Sequence, residues 1–345
     1  QLSIDIEESG KLFQCQIPSF RNDLEREVDL HEEVARVYGY DNIDSTDSFN
    51  SSFSIIQHDA HKIRKYLSDI LSMNGFNEHY SNSLFSEKEN SLFSKNRDIE
   101  IANPLSSDMK YLRNSIIPGL INAVAFNINH NNKNFKLFEI GSIHKKITTK
   151  NGNRYIEENS LGLSWCYLTK KDWKDKSTFD IFDVKGEIAY IFNLLGIPME
   201  FKYKDNLLCI LSNKKKIGYL TTIKDINSKS LKNNPNVYFA EFQIDTLDSL
   251  YGQIMKKNKI SMPSQYPTIE RDISILISKD ITYKDITDNI SESAGLLLQE
   301  ISLFDLYVDK DIDNDKHSLS LSLLFSSKDR TLKDAEIDTL MITIL

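Results

Sequence analysis

The chain has 345 residues, of which 40% are hydrophobic and 27% charged, with only 12 glycines and 7 prolines. This length predicts two or three domains that each bury a core, and the composition excludes collagen, long disordered linkers and low-complexity arrays. With 42 basic and 50 acidic residues the formal net charge is −8, which argues against a nucleic-acid binder that works by bulk attraction.

The cysteines and the chain termini bear on the cellular compartment. Cys15, Cys166 and Cys209 are widely spaced and form no CxxC pair. An odd number of such cysteines predicts neither a disulfide framework nor a zinc ribbon and is typical of a reducing cytoplasm. No apolar stretch approaches the roughly 18 residues of a membrane span, and the first ten residues show neither the basic nor the apolar region of a signal peptide. Because the sequence starts without methionine inside an alternating strand pattern, we expect a soluble fragment of a longer protein.

Residues 1–46 read as two strands around a turn, followed by a helix. Alternating residues predict the strands, which end at Pro18. Asn22 or Asp23 is a candidate N-cap for a helix that begins near Asp23 and ends at Gly39. Apolar residues of this helix fall on one arc at 100° per residue. The predicted arc consists of Leu24, Val28, Leu30, Val34, Ala35, Val37 and Tyr38.

Residues 47–260 read as an α+β domain. Amphipathic patterns predict helices over 61–73, 115–129 and 184–196. Strand-like segments with short connections predict a mostly antiparallel sheet with inserted helices, because such pairs need no crossover. The predicted strands span 135–144, 160–168, 207–212, 216–223 and 237–244.

Residues 261–345 show the order strand, helix, strand, strand, helix. This order is one strand short of the ferredoxin-like βαββαβ fold, and we expect the last strand past Leu345. The segment holds eight basic and sixteen acidic residues, so it carries the whole net charge of −8 while the other residues balance.

The first predicted helix contains a dense group of carboxylates. The group comprises Asp23, Asp29, Glu32 and Glu33, followed by Arg36. The last four of these residues are spaced i, i+3, i+4 and i+7, so their side chains emerge on one helical face. Several carboxylate oxygens near one helical turn could hold Mg²⁺, which prefers oxygen ligands. The alternative is a solvated acidic face in which Arg36 pairs with Glu32 or Glu33.

The residues around this group resemble a known family. The runs PSFRND at 18–23 and VDLHEEVARVYGY at 28–40 closely resemble a stretch of the bacterial phenylalanyl-tRNA synthetase β subunit. In that family the stretch closes a winged-helix-like domain, and its acidic residues bind Mg²⁺ shared with the α subunit. The resemblance therefore implies that Asp23, Asp29, Glu32 and Glu33 are metal ligands.

The resemblance covers effectively the whole chain. The motifs NPLS, LRNS, PGL, FEIG and DVKGE, from residue 103 to residue 187, resemble the catalytic-like domain of that family. The motifs YP, RDI, LFDLY and RTL, from 266 to 332, resemble its ferredoxin-fold anticodon-binding domain. The implied domains are a partial winged-helix-like segment at 1–46, a class II synthetase-like domain at 47–260 and a truncated ferredoxin-like anticodon-binding domain at 261–345.

The catalytic-like domain lacks the residues of an adenylating site. A class II enzyme uses an arginine, within an Arg-x-Glu stretch, to stabilise charge on the ATP α-phosphate. The corresponding strand here reads Lys136-Leu137-Phe138-Glu139, so Leu137 stands at the position of the arginine. The sequence also contains neither of the phosphate-binding loop motifs GxxxxGK[ST] and GxGxxG. The resemblance likewise implies that this domain is a catalytically inactive copy. It implies that the α subunit uses ATP in a cytoplasmic α₂β₂ tetramer. It also implies that the editing domain lies upstream of this chain.

Other residue types suggest weaker sites. These residues are His58, His61, Cys166, Cys209, Arg113 and Ser115. The two histidines lack a third ligand and are expected at the surface. The two cysteines lie in apolar strand patterns and are expected to be buried thiols. The arginine is expected to have a charge partner, and the serine to cap a helix.

Contact with tRNA must be local, because the terminal segment is acidic. Single-stranded loops are bound through stacking and a few phosphate contacts. Lys328, Arg330 and Lys333 surround the start of the last predicted helix, where its dipole also favours phosphate. Stacking candidates are Tyr266, Phe304 and Tyr307, although core packing is favoured for Phe304.

The leading hypothesis is therefore a β subunit that supports ATP-dependent charging of tRNA(Phe) as scaffold and tRNA reader. One alternative is a self-sufficient Mg²⁺-dependent phosphoryl-transfer or hydrolytic enzyme built on the Asp23 group, but neither a nearby base nor a phosphate cradle is found. The other alternative is a protein-interaction module without a role in RNA binding.

Overall fold

The computed structural model describes residues 2–10, 12–46, 48, 50, 62–92, 99–150, 152–167, 179–204, 207–222, 231, 236–257, 264–308 and 315–345. The chain divides into two compact units, residues 1–62 and 63–345. None of the helices in the described ranges has both the length and the apolar character that crossing a membrane requires. The candidates His58 and His61 lie outside the described residues.

The first unit contains a hairpin and a helix. Strands β1 (Asp5–Ser9) and β2 (Leu12–Gln16) pair antiparallel, as predicted. Helix α1 spans Glu27–Tyr38 and ends at Gly39, whose φ of 95° lies in the region that favours glycine. A 3₁₀ turn follows at Tyr40–Asn42.

The predicted start of this helix was wrong by four residues. Asp23 lies in a turn before the helix, where the Leu24 amide donates to the Arg21 carbonyl. The helix begins at Glu27 because the Asp29 carboxylate accepts from the Arg26 amide and caps the first turn. Of the predicted apolar arc Leu24 is buried, whereas four members are more than half exposed. The exposed members are Val28, Val34, Val37 and Tyr38.

A seven-stranded sheet organises the first part of the second unit. Its strand order is β3-β7-β8-β12-β11-β10-β9, and every pair is antiparallel except β3 with β7. The strands are β3 (Phe76–Glu78), β7 (Asn134–Thr149), β8 (Gly152–Tyr167), β9 (Glu200–Lys204), β10 (Leu207–Ser212), β11 (Lys215–Thr222) and β12 (Val237–Gln243). The predicted, mostly antiparallel sheet is therefore confirmed, whereas β3 and β9 were not anticipated.

Helices and a small sheet complete this region. A three-stranded sheet joins β4 (Leu84–Phe85), β6 (Tyr111–Leu112) and β5 (Ile99–Glu100), with a 3₁₀ turn at Ser107–Met109. The helices are α2 (Lys62–Met73), α3 (Glu87–Asn90), α4 (Ile117–Asn129), α5 (Ile181–Asn193) and α6 (Ile244–Lys257). The three helices predicted here correspond to α2, α4 and α5, whereas α6 was missed.

The large sheet is buried on both faces, because successive side chains of a strand point to opposite sides. Phe138 on β7 belongs to an apolar cluster with residues of α2, α5 and α6. Its neighbour Leu137 belongs to a second cluster formed with α4. Trp165 and Phe242 are fully buried in the first cluster. These two layers supply most of the hydrophobic stabilisation of this part of the chain.

The C-terminal segment forms the predicted strand-helix-strand-strand-helix order. Its antiparallel sheet has the order β13-β15-β14, and its buried cluster includes Leu321, Phe325 and Ile337. The elements are β13 (Ile269–Ser278), α7 (Tyr283–Ala294), β14 (Leu298–Tyr307), β15 (Lys316–Phe325) and α8 (Asp334–Ile344), with a 3₁₀ turn at Gly295–Leu297. The mixed α+β class is thus confirmed.

Two glycines should respond oppositely to alanine. A Cβ at Gly218 would lie 2.5 Å from the backbone oxygen of Glu241, so Gly218→Ala should destabilise the chain by about 1–3 kcal/mol. A Cβ at Gly186, within α5, would meet nothing within 4 Å. Gly186→Ala should therefore stabilise the chain by roughly 0.5–1 kcal/mol, because alanine has the higher helix propensity. Urea unfolding midpoints measure both, and shifts in the same direction would contradict the assignment.

Candidate functional sites

Three of the four predicted metal ligands are paired with arginines, Asp29 with Arg26 at 3.2 Å and the other two with a shared Arg21. The Arg21 guanidinium lies 2.7 Å from Oδ2 of Asp23 and 2.9 Å from Oε1 of Glu33, so it bridges the two carboxylates. Arg36 also pairs with Glu33. The hydrogen bonds from Arg21 hold the pKa of Asp23 at about 2, and they lower that of Glu33 together with Arg36. Both side chains are therefore ionised at neutral pH but neutralised within the chain.

The other two carboxylates differ from this pair. Asp29 accepts hydrogen bonds from the backbone amides of Glu25 and Arg26, at 3.0 and 2.7 Å, and these bonds lower its pKa. Asp29 therefore caps the helix. If it bound a metal ion, its oxygens would have to give up these hydrogen bonds or share them with the metal. Glu32 is exposed, and among the described residues it has no ion pair or hydrogen-bond partner. It is the member of the group whose oxygens are accessible.

This arrangement does not fit a metal ion held by this chain alone. In the described ranges, no group of three or more histidine, cysteine or acidic side chains is arranged to hold a metal. A cation would have to displace Arg21 and Arg36, or meet Glu32 with oxygen ligands from elsewhere. Arginines of the same chain thus already pair with most of the carboxylates that were predicted to bind Mg²⁺. The metal assignment stays a prediction.

The strand predicted to lack an ATP-binding arginine has an apolar environment. Leu137 is buried in the cluster that includes Ile117, Leu120 and Val124 of α4. Helix α4 therefore covers the sheet face onto which position 137 points. A phosphate there would lose its water without gaining a cationic partner, which is strongly unfavourable.

Arg113 has the charge partner that was expected. Its guanidinium lies 2.5 Å from Oε1 of Glu139, and both side chains are almost fully buried. Ser81 donates to Glu139 at 2.8 Å, and Nε of Arg113 donates to the Ser142 carbonyl at 2.8 Å. A side chain at Gly141 would collide with the guanidinium. These contacts have a structural role. Removing either Arg113 or Glu139 would leave the other as an unpaired buried charge.

The buried carboxylate of Glu241 was missed from sequence. Its oxygens accept from the hydroxyls of Ser115, Ser160 and Tyr219 at 2.7 to 3.0 Å, and from the Ile116 amide at 2.9 Å. Ser115 also accepts from the Ile117 amide and so caps the first turn of α4, as expected. Burial raises the pKa of Tyr219, and the nearby Glu241 adds to this effect. The available signal was a lone glutamate in the apolar strand VYFAEFQ.

The three cysteines are free, as expected. Cys166 and Cys209 are buried, and burial raises the pKa of Cys166 to about 12. A thiol with such a pKa is almost entirely protonated at neutral pH, so it is a poor nucleophile.

The three predicted tRNA-binding cations flank the start of α8, and all are exposed. Lys333 is the residue immediately before the helix. The Arg330 guanidinium donates to Oε2 of Glu336 at 2.8 Å and makes a second bond to the other oxygen. Within the described part of the chain neither Lys328 nor Lys333 forms a close ion pair, although the charge of Lys333 helps to lower the pKa of Glu336. Two of the three cations therefore remain available to an anionic ligand.

The aromatic candidates lie at the surface. Phe304 and Tyr307 on β14 are 59% and 50% exposed, and Tyr266 is 37% exposed. The expectation that Phe304 packs in the core was wrong. The pairing of β14 with β15 shifts between Leu303 and Asp305, so Phe304 sits in a bulge of a strand at the sheet edge.

Comparisons with known proteins cover most of the chain. Residues 51–244 match the family model of the phenylalanyl tRNA synthetase beta chain CLM domain. Residues 264–345 match the ferredoxin-fold anticodon binding domain, and residues 1–40 match the tRNA synthetase B5 domain.

Curated relatives carry one name. A phenylalanine–tRNA ligase beta subunit of Fusobacterium nucleatum is 31% identical over 95% of this chain and 42% of its own length. That of Dehalococcoides mccartyi is 30% identical over 94% of this chain and 41% of its own length. The chain thus spans about two-fifths of these relatives. A crystal structure of a pyrrolysyl-tRNA synthetase from Desulfitobacterium hafniense superposes with a TM-score of 0.43 over 57% of this chain and 69% of its own, at 11% identity, which is too weak to support an argument.

Proposed function

Because the chain belongs to the phenylalanyl-tRNA synthetase beta chain family, we propose that it supports ATP-dependent attachment of phenylalanine to tRNA(Phe). Its role is that of scaffold and tRNA-binding subunit, and the active site lies in the α subunit. The family matches confirm the resemblance drawn from the motifs between residues 18 and 332. The proposed setting is a cytoplasmic α₂β₂ tetramer, in which ATP binds to the α subunit.

The burial of Leu137 is the observation that carries the scaffold role. A residue at this position of an adenylating strand would face the ATP phosphates, yet here it packs against α4. The only buried guanidinium of the surrounding described residues, Arg113, is already neutralised by Glu139. The proposed organisation is a partial winged-helix-like domain at 1–46, a catalytically inactive class II-like domain at 47–260 and a truncated anticodon-binding domain at 261–345.

Charging should depend entirely on the α subunit. The chain alone, with ATP, phenylalanine and tRNA(Phe), should give no charged tRNA, because it lacks groups that stabilise the adenylation transition state. The α subunit should copurify with the chain, and the complex should charge tRNA(Phe). Acid-gel detection of aminoacylated tRNA measures this. Charging by the chain alone would refute the scaffold role, and failure to copurify with α would refute the partnership.

We propose further that Mg²⁺ is shared with the α subunit at Asp23, Asp29, Glu32 and Glu33. Low pKa values keep three of these carboxylates ionised, which a metal ligand requires. Glu32 is exposed and unpaired within the described chain, so it is the natural point of first contact. Oxygen ligands from the partner would complete the site.

Mg²⁺ affinity should therefore rise on complex formation. Calorimetric titration should show weak binding to the chain alone and tighter binding to the complex. Glu32→Gln should weaken the complex site by at least about tenfold. Glu25→Gln, which removes a nearby exposed carboxylate, is the matched control and should change little. Tight binding to the isolated chain would contradict a shared site.

Contact with tRNA is proposed at Lys328, Arg330 and Lys333. The match of 264–345 to an anticodon-binding domain and the unpaired ammonium groups of the two lysines support this proposal. The exposed rings of Phe304 and Tyr307 offer flat apolar surfaces on which unstacked bases could pack. The acidity of the domain restricts recognition to such local contacts.

Lysine substitutions should reduce the salt dependence of tRNA binding. In the complex with α, Lys328→Ala and Lys333→Ala should each weaken tRNA(Phe) binding and lower the slope of log K against log salt by roughly 0.7–0.9. Lys284→Ala is the matched control, because Lys284 is already paired with Asp288 at 3.1 Å. Fluorescence anisotropy at several salt concentrations gives the slopes. Equal slopes for all three variants would rule out these phosphate contacts.

A further inference from the structure

Both arginines of the anticodon-binding segment are paired with carboxylates of its last helix. The sequence from 261 to 345 contains two arginines, Arg271 and Arg330. Arg271 lies 2.7 Å from Asp334 and 3.2 Å from Asp338. Arg330 makes a two-bond contact with Glu336. Helix α8 thus neutralises the two side chains best suited to binding phosphate.

The two pairs occupy different environments. The side chain of Arg271 is 31% exposed and joins β13 to α8, so this pair holds the helix on the sheet. The side chain of Arg330 is 53% exposed and lies in the loop that precedes α8. Hydrogen bonding from Arg330 lowers the pKa of Glu336, so the carboxylate is charged at neutral pH. The Arg330 pair is the one that a ligand can reach.

A carboxylate and a phosphate bind a guanidinium in the same way. The planar guanidinium of arginine can donate two parallel hydrogen bonds to the oxygens of either group. Glu336 therefore occupies the place that an RNA phosphate would take on Arg330. Because an exposed ion pair is weak in water, a phosphate brought to the same place can exchange with the carboxylate.

We propose that Glu336 limits the affinity of the chain for RNA by masking Arg330. This inference rests on the proposed function as a tRNA-binding subunit. An RNA that reaches only Arg330 must displace Glu336 and gains little. A tRNA that also contacts Lys328 and Lys333 can replace Glu336 on Arg330 with one of its phosphates. Its contacts with the two lysines still contribute favourable binding free energy. The acidic helix thus weakens RNA binding.

The test compares variants within the complex of the full chain with α. Binding of tRNA(Phe) and of an unrelated tRNA is measured by anisotropy across a range of salt concentrations. Glu336→Gln should bind the unrelated tRNA about threefold more tightly near 0.1 M salt, with a slope steeper by roughly 0.7–0.9. Binding of tRNA(Phe) should tighten by a similar factor, because both RNAs are relieved of the same exchange at Arg330.

Two controls separate masking from bulk charge and from stability. Glu292→Gln removes one exposed carboxylate from α7 that has no basic partner among the described residues, and it should not reproduce the gain. The gain should vanish in the double variant Arg330→Ala/Glu336→Gln, because it requires the released guanidinium. An equal gain in Glu292→Gln, or a gain that persists without Arg330, would overturn the proposal.

The remaining outcomes are also decisive. A lower melting temperature for Glu336→Gln with unchanged RNA affinity would show that the pair is only structural, and would refute masking. If the wild-type complex binds no tRNA, the proposed function itself fails. If Lys328→Ala and Lys333→Ala weaken binding while Glu336→Gln has no effect, the tRNA-binding role stands and masking alone is refuted.

Discussion

Burial of the seven-stranded sheet on both faces is the constraint on which the second unit depends. Adjacent residues of β7 enter opposite apolar clusters, Phe138 with α2, α5 and α6, and Leu137 with α4. In a sheet packed in this way, a buried charged side chain is costly unless its partners are present. Arg113 and Glu139 meet that condition as an ion pair, and Glu241 meets it with four neutral donors. The chain itself therefore satisfies these buried charges, whereas the buried hydroxyls of Ser164 and Ser212 in the same sheet have no hydrogen-bond partner among the described residues.

Carboxylates of the same chain neutralise the arginines at each candidate site. Arg21 serves Asp23 and Glu33, Arg330 serves Glu336, and neither pair is enclosed by the core. The exposed Arg330–Glu336 pair contributes little to stability, whereas the side chains of Arg21 and Glu33 are only 18% and 10% exposed. Both pairs decide which charges a ligand encounters. At the N-terminal group Glu32 remains accessible, and at the C-terminal group the two lysines do. A partner subunit or an RNA would thus meet a few local charges rather than a charged face.

Periodicity predicted most of the elements because it reflects which side of an element is buried. Five of the seven strands of the large sheet and the order of the C-terminal segment follow from it directly. The start of α1 did not, because the Asp29 carboxylate caps the backbone at Arg26 and overrides the candidate cap at Asp23. Phe304 was assigned to a core because an aromatic residue in a strand usually packs inward, but β14 is an edge strand that is exposed along most of its length. Glu241 escaped notice because its four donors come from distant segments.

The sequence by itself determined the family and the order of most elements, since these are properties of residue identity and spacing along the chain. Only the tertiary structure decided which charges are neutralised. Arg271 and Asp334 are 63 residues apart, and Arg113 and Glu139 are 26 apart, yet each pair is in direct contact. Ion pairing depends on distances through space and on the local loss of water, neither of which is encoded in spacing along the chain.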